Sequence, residues 1–274
     1  MDIFSEITQF YQNAPTEKTV YGKSLLGRKL YAVKVGQGRP IGLAQYAIHG
    51  REWITAKLAI EHYFTGVGVG SLWILPLTNP DGALLSQCGL DSVNSVFRRK
   101  TLLSMQQGKK DFSLWKANAR GVDLNVNFDA RYGQGKKNVF IAGAENYVGK
   151  HAFSEPETQA LRRFTLKIMP DYTVSYHTKG EEIYWYFNQP VGVCPRDKRL
   201  ANVLSLATGY PLCHAKGSAG GYKDWCIQVL KIPSFTVETG KDEYAHPLDV
   251  ETLEDITAKN RRALYELSKE YAKL

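Results

Sequence analysis

Apolar positions along this chain recur with helical spacing in some stretches and with strand spacing in others, and the switches lay out an alternation of elements. Ile3, Phe4, Ile7, Phe10 and Tyr11 share one side of a helix over residues 2 to 12. Residues 20 to 35, broken at Leu26-Gly27-Arg28, read as a hairpin whose second arm alternates from Leu30 to Val35. A continuous apolar run at 41 to 48 predicts a buried strand. Trp53, Ile54, Leu58, Ile60, His62, Tyr63 and Phe64 then predict an amphipathic helix over 52 to 64. Residues 71 to 76 are a second buried strand, stopped by Asn79-Pro80-Asp81-Gly82, a dense turn signal. The polar stretch from 87 to 120 reads as a long surface loop.

Further on, Ser154-Glu155-Pro156-Glu157 has a Ser for an N-cap, an early Pro and a Glu three residues later, which predicts a helix running to about 168. Tyr172 to Tyr176 read as a strand ending at His177, residues 196 to 208 and 224 to 230 as helical, and 232 to 237 as a strand ending at Glu238. Residues 251 to 272 read as one terminal amphipathic helix. This order implies an α/β fold: a mixed, mostly parallel twisted sheet with helices on both faces. With 274 residues, 43% of them hydrophobic, and no linker, repeat or low-complexity tract, residues 1-274 read as a single domain.

Charge and cysteines narrow the function classes. The net charge of +8 is spread along the chain, with short clusters at Arg98-Arg99-Lys100, Lys109-Lys110 and Lys136-Lys137. It biases the protein toward anionic partners, but the basic clusters lack the regularly interleaved aromatics of a stacking platform, so no nucleic-acid partner is expected. The four cysteines form no C-x-x-C pair, which fits free thiols in a reducing compartment. The chain opens without a basic and then apolar leader and has no run long enough to span a membrane. A cytoplasmic protein with no membrane partner is the resulting expectation.

The candidate chemistry sits at strand ends. His49 and Glu52 lie three residues apart where the 41 to 48 strand gives way to a helix, and His177 and Glu238 close two later strands. Catalytic zinc takes imidazole nitrogen and carboxylate oxygen from three protein ligands and keeps a fourth position open. Taken alone, His49-x-x-Glu52 is also the pattern of a hydrogen-bonded core histidine beside a Glu that complements a helix dipole. A carboxylate at Glu238 suits proton transfer to and from a metal-activated water.

The motifs together resemble the zinc metallocarboxypeptidases of the carboxypeptidase A type. The matches are His49-x-x-Glu52, Asn79-Pro80-Asp81-Gly82, Gly121-Val122-Asp123-Leu124-Asn125, the His177 strand end, Gly220-Gly221-Tyr222-Lys223-Asp224-Trp225 and Phe235-Thr236-Val237-Glu238. They follow the family's order over about residues 20 to 245. The resemblance implies one Zn2+ per chain held by His49, Glu52 and His177, with Glu238 as general base and acid. It also implies an arginine ahead of the Asp-Leu-Asn motif that steadies the oxyanion, for which Arg120 is the candidate; a surface salt bridge is the alternative role.

Three departures bear on substrate. The family's motif Asn is followed by an Arg that helps grip the substrate carboxylate; here Asn125 precedes Val126, and Arg131 is the nearby substitute. The family's mobile pocket tyrosine aligns with Lys216, with Tyr222 close by. The residue flooring the specificity pocket is Lys223, which either favours an anionic substrate group or is a solvated lysine. Trp115-Lys116-Ala117-Asn118 and the stretch His177 to Trp185 look most like the bacterial γ-D-glutamyl-diaminopimelate peptidases and murein peptide amidases. That resemblance implies a small peptide substrate of muropeptide type, its extra carboxylate and amine read by Lys223 and by Glu181-Glu182. A general carboxypeptidase, an N-acyl-amino-acid deacylase and a non-catalytic peptide binder on the same zinc fold are the alternatives.

Overall fold

A computed structural model of the chain describes residues 1–215 and 217–274. The first helix is α1 (Ile3–Asn13), started by Asp2, whose carboxylate accepts from the Ser5 amide at 2.9 Å. The hairpin pairs β1 (Lys18–Lys23) with β2 (Lys29–Gly36). β3 (Ile41–Tyr46), a 3-10 turn at Gly50–Glu52, α2 (Ile54–Thr65) and β4 (Ser71–Leu75) follow as the apolar pattern predicts.

Asn79-Pro80-Asp81-Gly82 does not make a turn; it opens a helix, α3 (Pro80–Cys88). The Asn79 side chain accepts from the Gly82 amide at 2.9 Å, and Pro80 stands at the first helical position, where its missing N–H has no helical partner to lose. Turns and helix starts use the same short polar residues because both leave a nearby backbone amide to satisfy.

The stretch 87 to 120 is likewise ordered. It holds a 3-10 turn at Gly89–Ser92 and α4 (Val96–Met105), and its return segment buries Phe112, Trp115, Ala117 and Ala119 against Leu85, Val93 and Leu102. These apolar residues are too far apart in sequence to show a local period, and they bury one another in a small core of their own.

The remaining elements are α5 (Pro156–Ile168), β5 (Tyr172–Thr178), β6 (Glu182–Tyr184), α6 (Cys194–Thr208), β7 (Leu212–Cys213), α7 (Tyr222–Trp225) continuing as a π turn to Leu230, β8 (Ser234–Thr239), α8 (Leu253–Asn260) and α9 (Ala263–Tyr271). The N-cap position of helix α5 is Glu155, one residue after the predicted Ser154, and its side chain makes no capping hydrogen bond. The strands β6 and β7 are too short to register as a period. The predicted terminal helix is two helices, because the Asn260 carbonyl accepts from His62 Nε2 at 3.0 Å instead of continuing the helical ladder.

The strand order is β1-β2-β4-β3-β5-β8-β6-β7. β4, β3, β5 and β8 run parallel at the centre, and antiparallel pairs join β1 to β2, β2 to β4 and β6 to β8. One face packs Ile7, Leu58, Leu204, Ile256 and Leu264 from the helices against Tyr46, Val174 and Val237. The other packs Leu161, Phe164 and Trp225 against Leu43, Trp73 and Leu75. Helices thus cover both faces, as expected. No helix among the described residues is long and apolar enough to cross a membrane.

A buried carboxylate ties this frame to the return segment. Glu157 is fully buried and accepts from the Leu25 amide at 2.7 Å and from the Asn118 side chain at 3.2 Å. Burial, with Asp81 nearby, raises its pKa from 4.5 to about 8. The folded protein therefore keeps a proton that the unfolded chain releases. The resulting destabilisation is absent below pH 4.5 and grows as pH rises toward 8, by up to about 1.4 kcal/mol per unit. Glu157→Gln is expected to flatten the pH slope of unfolding free energy by about one proton between these limits, read by urea titration. An unchanged slope would show that Glu157 is ionised in the fold.

Candidate metal centre

Strand β3 has β4 on one side and β5 on the other, so the connections leaving β3 and β5 diverge and open a crevice at their carboxyl ends. His49 lies just beyond β3, with Glu52 on the following turn, and His177 lies near the end of β5. In the parallel pairing of β5 with β8, His177 stands beside Glu238. One end of the sheet therefore gathers all four residues, which are scattered over 190 positions of sequence.

His49, Glu52 and His177 are buried, and one ligand atom from each lies within 4.8 Å of the others. His49 Nδ1 is 2.8 Å from Glu52 Oε1, His177 Nδ1 is 3.0 Å from Glu52 Oε2, and the two Nδ1 atoms are 3.1 Å apart. Burial would raise the Glu52 pKa, but the two imidazoles overcome it and hold the carboxyl well below its ordinary range. Three lone-pair donors converging in a buried space suit a small cation. Two imidazoles and one carboxylate are a donor set for catalytic zinc, so the residues fit that ion.

Around this set, Asp123 Oδ1 lies 3.3 Å from His49 Nε2, oblique to a straight hydrogen bond, and Oδ2 lies 3.0 Å from Lys116 Nζ. A carboxylate behind a ligating histidine fixes ring orientation and raises its basicity. Lys116 is carried in by a backbone lock: its carbonyl accepts from the Gly50 amide at 2.9 Å, and the Asn79 side chain donates to the Ile48 and Ala117 carbonyls at 3.1 and 3.2 Å. A side chain at position 50 would put its Cβ 2.4 Å from the Gly82 carbonyl oxygen, so only glycine lets α3 and this segment close on the ligand loop. Burial opposes the charge on Lys116, and Asp123 and Glu52 outweigh it, so the ammonium is held charged.

A cavity of about 460 Å³ opens beside the centre, lined among others by His49, Lys116, Asn125, Lys223 and Glu238. This is the size range of a small-ligand site. Burial raises the Glu238 pKa to about 7 against the pull of His177.

A family model described as zinc carboxypeptidase matches residues 70–263. The chain belongs to the zinc carboxypeptidase family. The match takes in His177 and Glu238 and begins after His49 and Glu52, so it is geometry that joins those two ligands to the set. Among curated proteins, the γ-D-glutamyl-L-diamino acid endopeptidase 1 of Lysinibacillus sphaericus is 30% identical over 259 residues, covering 87% of this chain and 63% of the relative. Murein peptide amidase A of Escherichia coli K12 is 34% identical over 134 residues, 45% of this chain and 50% of the relative. The chain spans under two thirds of the length of the first curated relatives it matches. Among solved structures, bovine thrombin-activatable fibrinolysis inhibitor in complex with tick carboxypeptidase inhibitor superposes with a TM-score of 0.78 at 18% identity, covering 100% of this chain and 97% of that one. The murein-tripeptide amidase MpaA of Escherichia coli O157 gives 0.60 at 24% identity, covering 96% and 95%. Both share the zinc carboxypeptidase fold with this chain.

Within this family member the expected substrate residues divide. Asn125 lines the cavity, with its Oδ1 accepting from the Tyr222 amide at 3.2 Å. Lys223 also lines it, but Nζ lies 2.6 Å from Asp224 Oδ1 and donates to the Tyr186 carbonyl at 3.3 Å, so its charge is neutralised inside the protein. Tyr222 does not reach the cavity; it is fully buried among Phe128 and Trp225, with its hydroxyl 2.9 Å from Thr165 Oγ1. Arg131 faces a neighbouring cavity of about 260 Å³ with Gln134 and Asn188. Glu181 pairs with Lys259 at 2.5 Å and Glu182 takes the Tyr184 hydroxyl; neither lines the cavity. The Lys216 expectation falls outside the described residues.

Arg120 also turns away. It is 43% exposed, pairs with Glu155 at 3.3 Å and lines a separate surface pocket with Phe97 and Met105. Lys116, four residues earlier in the same phrase, is the cation that faces the centre. A register set by counting along an irregular segment has no period to check it, which is why the arginine was the natural choice from sequence. Lys116→Met is expected to lower kcat by about 10²- to 10³-fold, with Lys116→Arg recovering much of it and Arg120→Ala nearly unchanged. Steady-state kinetics on the three variants check this; a large loss in Arg120→Ala alone would reverse the assignment.

Proposed function

We propose that the chain hydrolyses an amide bond in a small, carboxylate-rich peptide, of which γ-D-glutamyl-diamino acid peptides are the class best supported. The observation that carries the hydrolytic part is the cross-strand neighbour pair His177 and Glu238 at the edge of the two-His, one-Glu set. Zinc held there supplies Lewis-acid polarisation of the scissile carbonyl and acidifies water. Glu238, the cross-strand neighbour of His177, accepts the proton of the attacking water and returns it to the leaving amine. Lys116 adds a held positive charge to the same cavity, where negative charge develops on the scissile oxygen. Asp123 keeps both His49 and Lys116 in place.

Two things support the substrate class: the relatives named for γ-D-glutamyl-diamino acid and murein peptide bonds, and the two cavity-lining lysines, Lys136 and Lys137, that have no ion-pair partner among the described residues. In place of the Glu181-Glu182 pair, Asp224 is the acidic side chain beside Lys223. The two neutralise each other and form a polar wall of the cavity without net charge. The test is hydrolysis of L-Ala-γ-D-Glu-meso-diaminopimelate by zinc-loaded protein beside a panel of ordinary C-terminal dipeptides. Release of diaminopimelate with little turnover of the panel is expected. Turnover of the panel alone would make this a general carboxypeptidase.

A further inference from the structure

Of the four described lysines that line the cavity, two are already matched: Lys116 by Asp123 at 3.0 Å and Lys223 by Asp224 at 2.6 Å. The other two, Lys136 and Lys137, have no ion-pair partner, so among the described residues the lysine charge left unmatched in the cavity sits on the turn that carries them. The wall next to Asn125 is apolar, because the following residue is Val126.

The turn aims one of the two lysines. The Lys136 amide donates to the Gly217 carbonyl at 2.8 Å, which ties the turn to the segment across the rim. The Lys136 stem then lies over Gly217: a Cβ added there would meet Lys136 Cδ at 2.6 Å and Cε at 3.1 Å. Any side chain at 217 would displace the lysine from the rim, and the positive φ of 82° at Gly217 disfavours one in any case. Beside it, Asn138 also lines the cavity, and its Nδ2 is buried with no hydrogen-bond partner among the described residues. A buried amide donor left unpaired is costly unless a ligand supplies the acceptor.

We propose that Lys136, with the Asn138 side-chain amide, is the subsite that binds the carboxylate of the substrate residue released by cleavage. The proposal rests on the peptidase reading of the same cavity. An ammonium and an N–H donor on one turn match the two oxygens of a carboxylate, and no carboxylate of the protein already occupies the lysine. A lysine stem laid along glycine also loses less freedom on binding than one swinging from an open turn.

The test measures binding in a Glu238→Gln background, so that ligands are not turned over. Calorimetry compares γ-D-Glu-meso-diaminopimelate with the peptide whose carboxylate next to the scissile bond is converted to a carboxamide, and benzoyl-Gly-Leu with its amide. The carboxylate forms are expected to bind about tenfold or more tightly. Lys136→Met should abolish that preference, Lys136→Arg restore it, and Lys137→Met leave it in place, all with unchanged melting temperature. A preference that survives Lys136→Met, or that Lys137→Met removes equally, overturns the proposal. A Lys136-dependent preference in the benzoyl pair with no binding of the γ-D-glutamyl pair would uphold the subsite and defeat the substrate class instead.

Discussion

Glu238→Gln is expected to lower kcat by about 10³- to 10⁴-fold while the protein still binds one zinc. The amide keeps the shape and polarity of the carboxylate, so the β5 and β8 pairing that sets His177 beside position 238 is undisturbed. What disappears is the group that accepts and returns a proton. The variant is expected to melt close to the parent, because the substitution keeps the side chain's size and the strand pairing around it. Kinetics, metal analysis and thermal melting on the same preparation check this. Loss of zinc along with activity would make Glu238 a ligand, and activity within tenfold of the parent would remove it from the mechanism.

His177→Ala is expected to reduce hydrolysis to background and to uncouple thermal stability from zinc. The parent chain should melt at a higher temperature with zinc than with a chelator, because a metal that binds only the folded state stabilises it by about 2.7 kcal/mol at a hundredfold excess over Kd. Removing His177 leaves His49 and Glu52, two donors where a catalytic site uses three. Melting curves with zinc and with chelator, run on parent and variant, read the coupling directly. A variant that still gained stability from zinc and held one ion per chain would require a different third ligand.

The two predictions draw on residues that the sequence marked well. His177 and Glu238 each end an apolar, β-rich run before a polar turn, and strand ends in an α/β fold converge at one edge of the sheet. The cations were marked less well. Arg120 and Lys116 sit in the same short irregular stretch, and which of them turns inward depends on a carbonyl of Lys116 bonded to Gly50, more than sixty residues earlier. Asp224 was present in the quoted motif, but its neutralising contact with Lys223 is a matter of side-chain direction. Tyr222 is adjacent to Lys223 and, one step around α7, points into the opposite core.

What the sequence determined by itself is therefore local: the alternation of helices and strands, the α/β class, and the placing of His49, Glu52, His177 and Glu238 at strand ends, to which the family resemblance added their expected roles as ligands and base. Periodicity and residue type act over a few neighbouring positions, and short-range sterics and burial translate them directly into elements. Only the tertiary structure decided which charges remain unmatched in the cavity, which cation faces the metal centre, and that Asn79-Pro80-Asp81-Gly82 starts a helix that locks the Lys116 segment. Those outcomes depend on partners distant in sequence, whose attractions are strong only once folding has brought them together and excluded water between them.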